Sequence, residues 1–258
     1  MTMSTELPKI DFQDVSRIYE VNKRQFRAVS EVNLSVHSNE FITLVGPSGC
    51  GKSTLLNMAG GLDHPSAGDV LVDGEPVRGP GPERGVIFQQ YALFPWLSVR
   101  KNVEFGLKVA KVPAAERRRR AEEVIDLVGL RDFADSLPKT LSGGMKQRCA
   151  IARAYAVNPN LLLMDEPFGA LDALTRVRMQ EQLLETWSKQ KRTVLFVTHD
   201  VDEAVYLANR VVVMAARPGR IKEIIDVDLP YPRAEEMRLS AEFSDIRNRV
   251  WHAVYHQE

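Results

Sequence analysis

Apolar residues along this chain fall into distinct patterns. Phe41–Val45, Gly85–Phe88, Leu161–Asp165 and Thr193–Thr198 are short, nearly continuous apolar runs, which predict strands buried on both faces. Residues 10–18 alternate in part and predict an edge strand ending at Tyr19. Val32–Val36, Gly68–Val72, 211–215 and 220–227 predict further strands. Helical spacing takes over elsewhere. Leu55–Ala59 reads as the first turns of a helix that stops near Gly60-Gly61. Between Ser98 and Asn158 the pattern is helical with no convincing strand. Further helices are predicted over 173–190 and 200–208, and Leu239, Phe243, Ile246, Val250 and Val254 mark a last amphipathic one. Strands alternating with helices predict an α/β core, and the stretch without strands predicts an all-helical insertion.

The first candidate chemistry sits between the Phe41–Val45 strand and the helix after it. Residues 46–54 read GPSGCGKST and fit G-x-x-x-x-G-K-[ST], a phosphate-binding loop, in the strand–loop–helix setting the motif needs. The glycines let the backbone approach a phosphate closely, and the helix start favours an anion. Lys52 is expected to reach the β- and γ-phosphates, and the Ser53 hydroxyl to meet Mg²⁺.

A phosphate held in a loop still needs a metal ligand and an attacking water. Asp165 ends an apolar run and is expected to hold Mg²⁺ through water. Glu166 follows it and can accept a proton from, or orient, the water. Ser142, Gly143 and Gly144 then precede a helix running to about Val157. Ser142 is a natural N-cap and the glycines offer backbone N–H groups, giving a second anion device. Two such devices in one chain suggest a symmetric dimer, each nucleotide lying between the loop of one subunit and the second motif of the other.

Bulk properties narrow the partners. Lys+Arg and Asp+Glu both number 34, so nothing in the net charge calls for nucleic acid. The arginine run 117–120 is either an anion or headgroup contact or a solvated face beside Glu116, Glu122 and Glu123. Cys50 and Cys149 have no pairing or metal spacing, as in a reduced, cytoplasmic chain. The first residues lack the pattern of a signal peptide, and no apolar run approaches the ~20 residues that span a bilayer. Any membrane role is expected to run through partners.

LSGGM followed by KQR, LLLMDEP, GALD and the strand-end His199 together resemble the ATP-binding cassette (ABC) family over nearly the whole chain. The resemblance implies a P-loop NTPase fold of the ABC ATPase kind: a RecA-like mixed-sheet core with an inserted all-helical subdomain. It implies one domain over 1–258, with core 1–88 and 159–232, helical subdomain 89–158 and C-terminal helix 233–258. By position, Tyr19 matches the residue that stacks on adenine. Gly46, Pro47, Ser48, Gly49, Cys50, Gly51, Lys52, Ser53 and Thr54 match the nucleotide loop. Gln89 matches the glutamine that touches Mg²⁺ and links core to insert. Ser142, Gly143 and Gly144 match the signature that meets the partner's ATP, with Met145 where glutamine is commoner. Asp165 and Glu166 match the metal carboxylate and the catalytic base, Asp172 the dimer-interface aspartate and His199 the γ-phosphate switch. The implied cofactors are ATP and Mg²⁺.

The stretches PERGVIFQQYALFPWLSVRKNVEFGL and ARPGRIKEIIDVDLPYPR resemble the nitrate, sulfonate and taurine importer branch. That implies a homodimer closing on two ATP, peripheral on the cytoplasmic face of the inner membrane. It would drive an integral membrane permease and, through it, a substrate-binding protein. The segment Tyr91–Val99 is either the groove that receives a permease helix or packing within the helical subdomain. An ABC ATPase with another task (export, lipid trafficking, another nutrient) and a soluble ABC protein acting on DNA or ribosomes remain alternatives.

Overall fold

The computed structural model describes residues 7–256; the extreme ends of the expected domain, residues 1–6 and 257–258, lie outside the described residues. In chain order the elements are β1 (Ile10–Val21), β2 (Arg24–Val36), β3 (Phe41–Val45), α1 (Lys52–Ala59), β4 (Ala67–Val72), β5 (Glu75–Pro76), β6 (Arg84–Ile87), α2 (Val99–Val109), α3 (Ala114–Leu127), α4 (Gly143–Val157), β7 (Leu161–Asp165), α5 (Ala173–Lys189), β8 (Thr193–Val197), α6 (Val201–Leu207), β9 (Arg210–Ala215), β10 (Arg220–Asp226) and α7 (Ala241–Tyr255). They gather into two compact units, one made of the chain up to Gly81 and from Leu183 onward, the other of Pro82–Gln182.

The first unit holds two sheets. In one, the order is β2-β1-β4-β5 and every pairing is antiparallel. Along β2, Val32, Leu34 and Val36 are buried while Glu31, Asn33 and Ser35 are exposed, the alternation of a sheet wet on one face. In the other, β3 lies between β8 and β9, parallel to both, and β10 runs antiparallel along β9. All five residues of β3 and of β8 are buried, as expected of parallel strands covered on both faces.

The second unit pairs β6 with β7 in parallel and packs α2, α3 and α4 against one another. Val99, Val103, Leu107, Ala121, Ile125, Cys149, Ala150 and Ile151 form its helical core. Between residues 98 and 158 all described regular structure is helical.

Three expectations need correction. The strand at 10–18 is not at an edge: β1 is bonded by β2 on one side and by β4 on the other. Side-chain alternation reports the faces of a strand, whereas edges are a matter of in-plane hydrogen bonds, so the pattern is blind to the difference. β2 starts at Arg24 rather than Val32, because Asn22 and Lys23, both at positive φ, close a two-residue hairpin between Val21 and Arg24. Positive φ at both central positions is a type I′ turn, usually signalled by Asn-Gly and here made by Asn-Lys. Leu239 is not on the last helix. It sits in a short 3₁₀ turn and is 87% exposed, while Ser240 caps α7 by accepting the Phe243 N–H. The buried stripe of α7 is Phe243, Val250, Ala253 and Val254.

Candidate functional site

In the first unit, β3 delivers the chain into the loop Gly46–Gly51, and α1 begins at Lys52. Two glycines are obligatory there. A Cβ on Gly46 would lie 2.5 Å from the Met214 carbonyl oxygen. Gly51, at φ +88, is the residue before the helix and sits 3.1 Å, at its would-be Cβ, from the Ala28 carbonyl oxygen. Lys52 is only 7% exposed. Its ammonium donates to the carbonyls of Gly46 at 2.7 Å and Pro47 at 3.1 Å, so the loop folds round its own cation. Cys50 is fully buried beneath the loop, while Ser48 and Gly49 are exposed and Pro47, Ser53 and Thr54 half-buried. The first turn of α1 carries no acidic residue and no side-chain cap. A buried cation and uncapped helix-start N–H groups are the elements from which an anion cradle can be built.

His199 lies just past β8 and is exposed. The residue before it, Thr198, donates its N–H to the Leu44 carbonyl at 3.1 Å, which ties the His199 turn to the strand that feeds the phosphate loop. Thr198 Oγ1 donates to the buried Glu203 carboxylate and accepts the Asp200 N–H. Asp200 caps α6 by accepting the Glu203 N–H. The histidine is thus held from both sides. Tyr19, on β1, is half-buried and donates its hydroxyl to Asp63 Oδ2 at 2.6 Å.

In the second unit, Asp165 is the last residue of β7 and is buried. Glu166 follows at φ +44, a left-handed backbone uncommon in a residue with a side chain. Gln89 Nε2 donates to Glu166 Oε2 at 3.2 Å, a contact between two of the expected site residues that the sequence did not foretell. Ser142 caps α4, its hydroxyl accepting the Met145 N–H, and Gly143 and Gly144 form the first turn. Asp172 is exposed and caps α5; the N–H of Thr175 on its carboxylate holds that carboxyl below the usual range.

The segment after Gln89 carries an apolar surface. Phe94 lies against Phe105 at 4.4 Å and Trp96 at 5.8 Å between ring centres, and Trp96 is 72% exposed. Leu93 and Leu97 are half-buried, so the segment both packs and presents itself. Two polar side chains that sequence reasoning missed hold it. Asn102, fully buried on α2, bonds the backbone of Phe94, Leu97 and Ser98, and Arg153 donates to the Ala92 carbonyl. Arg17, Asp63 and Glu203 were missed likewise; their partners lie too far along the chain, or are too ordinary, to leave a motif.

The arginine run resolves as an ion-paired face. Arg117 pairs with Glu104, Arg118 with Glu122, Arg119 with Glu116 and Glu123, and Arg120 with Glu116. Arg119 and Arg120 pull the Glu116 carboxyl down to about 2. Among the described residues no cluster of three or more His, Cys, Asp or Glu side chains could hold a metal ion, and no helix is long and apolar enough to cross a membrane.

The family described as ABC transporter matches residues 29–169. A putative ATP-binding protein of Brucella abortus is 67% identical over 97% of this chain and 95% of its own length. A nitrate import ATP-binding protein of Synechocystis is 48% identical over 86% of this chain and 83% of its own. An aliphatic sulfonates import ATP-binding protein of Bacillus cereus is 44% identical over 93% and 94%. Among solved structures, a dimeric post-hydrolysis ATP-binding cassette bound to ADP and Pi superposes with a TM-score of 0.79 at 33% identity, covering 86% of this chain and all of that one. Sequence motifs, loop geometry and relatives agree, and the chain belongs to the ABC transporter family as an ATP-binding, ATP-hydrolysing ABC ATPase.

Proposed function

We propose that this chain is the ATPase subunit of an importer for a small oxyanion or sulfonate. It would act as a homodimer on the cytoplasmic face of the membrane and drive a separate permease served by a substrate-binding protein. The observation that carries the transport reading is the aromatic surface of Phe94, Trp96 and Phe105, its Ala92–Phe94 backbone bonded by Asn102 and Arg153 just after Gln89. An apolar patch pinned by buried polar anchors suits a short partner helix laid across it. The nitrate and sulfonate import proteins among the relatives support the substrate class.

In this reading the Gly46–Thr54 loop binds the phosphates through its N–H groups and Lys52. Glu166 orients and deprotonates the attacking water, with Gln89 holding one of its oxygens. His199 donates to the γ-phosphate, and Tyr19 stacks on the base. Ser142, Gly143 and Gly144 bind the nucleotide of the partner subunit, and Asp172 meets that subunit. Mg²⁺ would find oxygen donors in each unit: the Ser53 hydroxyl in the first, and in the second the buried Asp165 carboxylate and the Gln89 amide oxygen, whose nitrogen is engaged by Glu166. These are a few hard oxygen ligands, as suits an ion that keeps several waters. When bound with ATP, Mg²⁺ neutralises phosphate charge.

Glu166→Gln keeps the size of the side chain and removes the base. Turnover should fall by about a hundredfold or more, with an ATP-bound dimer accumulating on gel filtration. Normal turnover would sink the catalytic assignment. The same variant, tagged and drawn with Mg-ATP from detergent-solubilised membranes, should bring down a polytopic membrane protein. Recovery of soluble or nucleic-acid-bound partners alone would overturn the transport reading.

A further inference from the structure

Arg17, Tyr19 and Asp63 form a closed group. The Tyr19 hydroxyl donates to Asp63 Oδ2 at 2.6 Å. Arg17 grips the same carboxylate with two nitrogens, at 2.6 Å and 3.1 Å. Its guanidinium carbon also lies 4.5 Å from the centre of the Tyr19 ring. The ring is therefore fixed at its tip by the carboxylate and on one face by the guanidinium. Arg17 and Tyr19 are two residues apart on β1, hence on one face of the strand.

The group is tied to the phosphate loop from two directions. Gly51 abuts the backbone of Ala28 and the side chain of Val29, and Val29 is the β2 partner of Arg17. Tyr19 is two residues further along β1, roughly 7 Å at strand spacing. Asp63 belongs to the turn that ends α1, bonded back to it from Gly61 to Met58 and from Leu62 to Asn57. The helix that starts at the phosphate loop thus leads to the carboxylate that aims the tyrosine. Directly across from Tyr19 on β2 stands Phe26, 51% exposed, so the surface beside the ring is aromatic and open.

A solitary tyrosine on a ribbon would have to be ordered each time a base stacked on it. A ring already clamped avoids that entropy loss. A cation on one face and a base on the other is also a favourable stack. We propose that Arg17 and Asp63 are positioning residues that pre-form Tyr19 as the platform for the purine base, and so set affinity for the base without touching the phosphates. This rests on the reading of the loop as the ATP site and of Tyr19 as the residue that stacks on adenine. The alternative is a brace between β1 and the turn after α1.

The test is calorimetric titration of the full chain and of Tyr19→Ala, Arg17→Met and Asp63→Ala. The probes are ATP and inorganic tripolyphosphate, both without divalent cation. Tyr19→Ala should weaken ATP about tenfold, the size of a lost base stack. Arg17→Met and Asp63→Ala should each weaken it about fivefold, the size of a cation–π contact. Tripolyphosphate should bind all of them alike, and Asp63→Ala should cost nothing further in a Tyr19→Ala background. If Tyr19→Ala weakens ATP while the other two do not, the positioning role is overturned and the base-stacking reading stands. If Tyr19→Ala changes nothing, the base-stacking reading itself fails. Equal loss for ATP and tripolyphosphate marks a brace and overturns the platform. Should Asp63→Ala not fold, Asp63→Asn keeps an acceptor for Tyr19 and loses only the ion pair. It should then show part of the ATP-specific loss, and wild-type affinity would count against the proposal.

Discussion

Asn102 offers the sharpest test of how the exposed aromatic surface is held. Its Oδ1 accepts the Phe94 N–H at 2.9 Å, and its Nδ2 lies 2.9–3.2 Å from the carbonyls of Phe94, Leu97 and Ser98. An amide nitrogen has only two hydrogens, so these acceptors share them. Nor do all four backbone groups depend on Asn102. The Phe94 carbonyl also accepts from Leu97, and the Ser98 carbonyl accepts the Asn102 N–H, which survives any side-chain change. Truncation to Ala chiefly orphans the Phe94 N–H and the Leu97 carbonyl. At 1–3 kcal/mol for each unsatisfied group the cost is about 3 kcal/mol. Replacement by Asp should cost more than by Ala: it keeps the Phe94 contact and sets a carboxylate against carbonyl oxygens in a fully buried site. Urea unfolding followed by far-UV circular dichroism measures the loss, and near-UV signal from Trp96 reports whether the segment has loosened. A cost below about 1 kcal/mol for Ala, or Asp milder than Ala, would refute the account of this anchor.

Two further outcomes follow from buried groups. Burial pushes the Cys149 thiol from 9.0 to about 12 and the Tyr231 hydroxyl from 10.0 to about 12. Both are neutral when protonated, so the stability they contribute is fully present below pH 9 and is lost as pH rises towards 12. The urea midpoint should be lower at pH 10.5 than at pH 8, and less so in Cys149→Ala; a midpoint independent of pH over that range would count against it. Among the described residues Arg233 is buried with no carboxylate partner, its Nη1 sharing two hydrogens among the carbonyls of Val205, Tyr206 and Ala208 at 2.9 Å each. Arg233→Met should lower stability by about 3 kcal/mol, since lost charge-assisted bonds outweigh the desolvation regained. A melting temperature unchanged from wild type would show that the carbonyls find other donors.

What the sequence shows and what it hides divide along a physical line. Gly46–Thr54, Asp165–Glu166 and Ser142–Gly144 are legible because each packs its chemistry into consecutive residues at a strand end or helix start. Local geometry then demands particular residue types there. β3, β7 and β8 are legible because parallel strands covered on both faces read as apolar runs. The interior place of β1 is not legible, because hydrogen bonding in the plane of a sheet leaves no mark on side chains. Nor is the Asn22–Lys23 hairpin, which does without the usual glycine. The Asp63 contact to Tyr19 spans 44 residues and the Arg153 contact to Ala92 spans 61, and neither partner is of an unusual type for its position.

The same line separates exposed polar groups from interior ones that hold the chain. Ser142, His199, Gln89 and Asp172 are exposed, as their proposed contacts with a nucleotide or another subunit require. Asn102, Glu203 and Asp63 are buried or half-buried and spend their hydrogen bonds on the chain itself. An exposed polar side chain with one backbone tether has many rotamers, and a site built from several such residues would be diffuse. Each interior anchor removes that freedom at a fixed place: Glu203 at Thr198, next to His199, Asp63 at the hydroxyl of Tyr19, and Asn102 at the backbone of the aromatic segment. Substituting an exposed group should therefore abolish one step outright. Substituting its anchor should weaken the same step by a graded amount, with the conservative replacement in between, and that ordering tells an anchor from a merely structural neighbour.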